Sequence, residues 1–144
     1  MITDIELRDL CDIAGTMIPA NAGRNLPGAD DPAIQADIVR TVGRDLPLVK
    51  EAIAAIAAKS GGAFAALNVD RREALINDYY ASRSAPVMTL GRVILGAYYR
   101  DDRVLTALGV EPRAPFPKGF TVEQGDWSLL DAVRNRPQLW RDDR

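Results

Sequence analysis

The groups able to do chemistry in this chain are acids, tyrosines and one thiol. Paired carboxylates stand at Asp30/Asp31, Asp101/Asp102 and Asp142/Asp143, tyrosines at Tyr79/Tyr80 and Tyr98/Tyr99, and the only cysteine is Cys11. Two carboxylates perform acid–base catalysis when a shared pocket keeps one protonated and the other ionised. Adjacent aspartates at the start of a helical pattern have a simpler use: they cap free N–H groups and meet the positive end of the helix dipole. All three pairs are therefore read as structural. The tyrosines fall at helical spacing and read as core residues with a hydroxyl at the edge, rather than as the frame of a ligand. Cys11 lies in an apolar helical stripe and reads as a small buried hydrophobe. A single cysteine cannot form an internal disulfide and suits a reducing compartment.

Histidine is absent. Its absence removes the commonest general base, the commonest metal ligand and every Ser-His or Cys-His arrangement. The glycines of "SGGAF" lack the preceding strand and the spacing of a phosphate-cradling loop. The expectation is thus no catalytic, cofactor-binding or metal-ligating residue in this chain.

The elements that would carry these groups are helical. The 144 residues are enough for one domain with its own core, read as 1–144 with a helical body over 1–109 and an extended segment, short helix and tail over 110–144. A net charge of -2 argues against nucleic acid as the main partner, which needs a dominant basic face. No apolar run approaches the roughly 20 residues that span a bilayer. The opening "MITDIELRDLCDIAG" has no basic n-region, twin arginine or long apolar stretch, so a cytoplasmic location is expected, or a periplasmic one if the chain is processed or co-exported.

Thr3 and Glu6 form a capping box, after which Leu7, Leu10, Cys11, Ala14, Met17 and Ile18 share a face as far as Pro19. Residues 20–31 are turn-formers with little to bury and read as a surface loop. Asp31 then caps a helix with Pro32 at its first position and Ile34, Ile38 and Val42 inward. Val49, Ile53 and Ile56 define a third helix, padded with alanine and stopped by "SGG". Phe64 and Leu67 tuck under the following turn. Asn68 caps a fourth helix with Leu75, Ile76 and Tyr79 inward. Residues 86–99 are apolar nearly all the way round, the pattern of a central, enclosed helix. Gly91 and Gly96 within it suggest closely pressing neighbours. Asp101 or Asp102 caps a short helix bearing Val104, Leu105 and Leu108, with Gly109 at its exit. The fold expected is an all-α, single-domain bundle of about five to seven helices.

Beyond this body, Pro112, Pro115 and Pro117 hold the chain extended, and Trp127, Leu129, Leu130 and Val133 mark a last short helix. Aromatic and arginine residues are enriched at protein interfaces, and Trp127, Trp140, Arg136 and Arg141 are of these types. Pro115, Phe116, Pro117, Phe120, Trp127 and Trp140 are the candidate partner-interface residues. The other reading, that the segment wraps its own helices, stands equally open.

The ordered stretches "LCDIAGTMIPA", "LPGADDP", "FAALNVDRREALI" and "LGAYYRDDRVLTALGVEPRAPFPKG" resemble the gluconate 2-dehydrogenase subunit 3 family over residues 7–119. The run from Tyr98 to Pro117 is the most specific. The residue after Ala14 is typically aspartate in that family and is Gly15 here. The resemblance implies a small non-catalytic subunit clasping a large FAD-dependent flavoprotein of the glucose–methanol–choline type, which oxidises sugars, sugar acids or glycosides. FAD and the catalytic base would then belong to the partner, and a cytochrome c subunit is a further candidate member of the complex. Two other classes compete with this reading. One is a free-standing helical module that binds a small molecule or another protein, and the other is an enzyme working with acids alone.

Overall fold

The computed structural model describes residues 2–62, 64–113, 119 and 121–137. Its helices are α1 (Asp4–Met17), α2 (Pro32–Thr41), α3 (Leu46–Lys59), α4 (Val69–Ala81), α5 (Ala85–Tyr98), α6 (Asp102–Ala107) and α7 (Asp131–Arg134). No strand occurs among the described residues, so the all-α expectation holds. The chain divides into two compact units, Met1–Pro112 and Arg113–Arg144.

Local chemistry sets where the helices begin. The Thr3 hydroxyl accepts from Glu6 N while the Glu6 carboxylate accepts from Thr3 N at 2.8 Å, which completes the capping box of α1. Asp31 caps α2 through Ala33 N at 2.9 Å, Asn68 caps α4 through Arg71 N at 2.9 Å, and Asp101 caps α6 through Arg103 N at 2.9 Å. α3 stops at Gly61 and Gly62, both at positive φ, and α6 exits through Gly109 in the same region.

In the first unit α5 packs on α2, α3 and α4, while α1 packs on α3 and α4. The core contains Ile34, Ile38, Val49, Ile53, Ile56, Leu90, Ile94 and Val104, with Phe64 tucked beneath its turn. Each fully buried isoleucine or leucine contributes about 1.5–3 kcal/mol relative to an exposed one.

Three expectations need correction. The buried stripe of α1 is Leu10, Ile13 and Ala14, with Leu7 exposed and Cys11 only half-buried. α1 meets α3 and α4 on one side, and this turns its inner face toward Ile13. The 20–31 loop also buries more than its composition suggests. Asn21 and Leu26 pair in a small bridge, Leu26 packs on the core, and Ala29 is wholly enclosed. Finally, α5 is central but not surrounded. Met88, Leu95 and Tyr99 form an outer stripe, and Tyr99 is 53% exposed. Neighbours do press on Gly91, where a Cβ would lie 1.9 Å from the Tyr80 hydroxyl oxygen. None presses on Gly96, where a Cβ would meet nothing within 4 Å.

Candidate partner interface

The second unit carries the candidate interface. Of the six residues proposed from sequence, Pro115, Phe116, Pro117, Phe120 and Trp140 lie outside the described residues, and Trp127 lies within them. Arg113 donates from Nη2 to the Gly119 carbonyl at 2.8 Å and so brings together the two ends of the proline-rich stretch. Further on, the Asp126 carboxylate accepts from Ser128 N at 3.0 Å and from Ser128 Oγ at 2.6 Å. The Ser128 hydroxyl, and then its backbone N–H, hold that carboxyl below its ordinary range. This cap starts a tight turn over Trp127–Leu130 that continues into α7.

Residues 121–137 are all exposed. Trp127 is 56% exposed and Leu129 76%, and Val122, Leu130 and Val133 are open as well. The indole N–H of Trp127 makes only a long bond to Gln124 Oε1, at 3.4 Å. Five apolar side chains with so little cover are an unusual load for about seventeen residues; on surfaces of monomers such residues occur singly. Sequence reasoning placed Trp127 here but left out Val122, Leu129, Leu130 and Val133. The signal was present in the helical spacing of Trp127, Leu130 and Val133, which reads equally well as an inward or an outward face.

One acid of each pair in the first unit, Asp31 and Asp101, caps a helix. Arg103 donates to Asp31 at 2.8 Å and to Asp101 at 2.7 Å, so one guanidinium joins the caps of α2 and α6. Its hydrogen bonds hold both carboxyls below the ordinary range, and the two acids in turn raise the pKa of Arg103. Arg100 donates to Asp37 at 2.6 Å and to Thr41 at 3.0 Å, and Arg40 also pairs with Asp37. Partial burial pushes the Asp37 carboxyl up, and Arg100 with Arg40 more than reverses that push. Carboxylates held ionised in this way are latches; a general acid would need the opposite shift. Asp142 and Asp143 lie outside the described residues.

Three of the four tyrosines are built into the body. Tyr79 is buried beneath Lys59, Tyr80 donates weakly to Met17 Sδ at 3.9 Å, and Tyr98 donates to the Pro27 carbonyl at 3.2 Å. Tyr99 alone stands outside, its ring edge-on to that of Tyr98. A Cβ on Gly15 would lie 3.0 Å from Asp30 Cβ and Cγ, so the Asp30 side chain sits against that place. No group of three or more potential metal ligands occurs among the described residues, and none of their helices is long and apolar enough to cross a membrane. No family model, no curated protein and no solved structure matches this chain.

Proposed function

We propose that this chain is a small accessory, non-catalytic subunit that binds and stabilises a large FAD-dependent dehydrogenase of the glucose–methanol–choline type, acting on sugars, sugar acids or glycosides. The exposed apolar set of the second unit carries the reading, because Val122, Trp127, Leu129, Leu130 and Val133 are of the kind that a partner surface covers. The ordered motif series and the absence of histidine point the same way. FAD and the proton-abstracting base belong to the partner in this reading.

Co-expression with the product of the neighbouring gene, followed by size exclusion, flavin analysis and a dye-reduction assay, tests it. The expected result is a hetero-oligomer that carries the dehydrogenase activity and is lost when Phe116, Trp127 and Trp140 are all changed to alanine. A monomer that leaves the flavoprotein's solubility and activity unchanged would sink the proposal. The competing reading, a free-standing binding module, is favoured by one observation, an apolar groove between α1 and α2.

A further inference from the structure

The groove has two walls that belong to helices held by different neighbours: α1 rests on α3 and α4, and α2 rests on α5. Leu7 and Cys11 line it from α1, Pro32, Ala36 and Val39 from α2. Its volume of about 640 Å³ is in the range of small-molecule sites. An apolar trough of this size suits an apolar chain, and its polar features indicate what head group would accompany it.

Four polar groups are placed there, Arg8, Arg40, Asp30 and Gln35. Arg8 lines one wall and Arg40 the other. Arg40 is paired with Asp37, but the Arg8 side chain makes no hydrogen bond or ion pair among the described residues. Asp30 is the one carboxylate on the lining, so the unpaired positive charge at the rim is that of Arg8. The fourth group is Gln35, which is 6% exposed. Its Nε2 donates to the Ala29 carbonyl at 2.7 Å, while its Oε1 is buried with no donor. A buried acceptor without a partner is uncommon in native proteins, and a ligand that brings a donor relieves it.

We infer that the α1–α2 groove binds a single-chain carboxylate amphiphile that bears a hydroxyl near its head group. The apolar chain lies along Leu7, Ala36 and Val39, the carboxylate meets the guanidiniums of Arg8 and Arg40, and the hydroxyl donates to Gln35 Oε1 after a small turn of that amide. No bond is made or broken; this is a binding site, and it stands independently of the flavoprotein reading.

Calorimetry on the full chain tests it with 3-hydroxydecanoate, decanoate and decyltrimethylammonium as monomeric probes, and with anionic phosphatidylglycerol vesicles as a separate arm. The hydroxy acid should bind tightest, decanoate about tenfold more weakly for want of one hydrogen bond, and the cation not at all. The double variant Arg8→Gln/Arg40→Gln should lose at least about tenfold for both acids. Gln35→Met, which keeps the volume and removes the orphan acceptor, should abolish the preference between the acids. Equal binding of the cation, or a preference that survives Gln35→Met, overturns the inference. So does unchanged affinity in the double arginine variant, or association with vesicles alone.

Discussion

Two glycines one and a half turns apart on α5 invite the same substitution with opposite outcomes. Alanine is favoured over glycine in a helix interior by about 1 kcal/mol, and this gain is common to both positions. At Gly96 the new methyl meets nothing within 4 Å, so Gly96→Ala should stabilise the protein by about 1 kcal/mol. At Gly91 the methyl would stand 1.9 Å from the Tyr80 hydroxyl oxygen and 2.9 Å from its Cζ. The ring must swing away, giving up its place on the core and its contact with Met17 Sδ at 3.9 Å. Overpacking of this kind costs about 1–3 kcal/mol, so the net result for Gly91→Ala is a loss of about 0–2 kcal/mol. Urea unfolding followed by helical circular dichroism reads both values. Tyr80→Leu supplies the control: its own cost should be smaller in the Gly91→Ala background, with a coupling of about 1–2 kcal/mol. If Gly91→Ala gains as much as Gly96→Ala, Tyr80 does not press on the helix and the packing argument fails.

Arg103→Met should destabilise the first unit by about 1 kcal/mol at neutral pH, a figure held low because the guanidinium is half exposed and screened by water. Asp31 and Asp101 have depressed folded pKa values, so their contribution is present above the unfolded value near 3.9 and is lost as pH falls through the folded ones. The stability gap between wild type and variant should therefore be flat above about pH 5 and close below about pH 4, as read by urea melts across that range. Arg83 adopts a left-handed φ of 48° in the turn before α5. Arg83→Gly should raise stability by about 0.5–1 kcal/mol, and a loss in thermal unfolding would show that the arginine side chain compensates for its backbone. Burial, and then the charges of Asp30 and Asp12, push the Cys11 thiol up. Its alkylation rate should rise with a midpoint above that of free cysteine, and Asp30→Asn should move the midpoint down; a midpoint unmoved by that change removes Asp30 as a cause.

What could be read along the chain was whatever is decided within a few residues. Thr3, Asp31, Asn68 and Asp101 announce helix starts because a cap and its target N–H lie two or three positions apart. The inward faces of α2, α3 and α4 followed from periodicity alone. What could not be read depends on contacts distant in sequence. The place of α1 against α3 and α4 selects Ile13 over Leu7 for burial. Arg103 finds Asp31 across 72 positions. Which side of α5 is left open depends on which helices pack on it, and hydrophobicity by itself cannot say which side that will be. In the second unit Trp127 was singled out by residue type, while Leu129 and Val133 needed their exposure to be seen.

The guanidinium of Arg103 grips the carboxylates that start two separate helices, and this has a kinetic corollary. The amide protons of Ala33 and Arg103 are protected by Asp31 and Asp101, the same two acids that the one side chain holds. Fraying at the head of α6 loosens the grip on the head of α2. These two amides, far apart along the chain, should thus exchange with solvent deuterium as members of one cooperative opening unit.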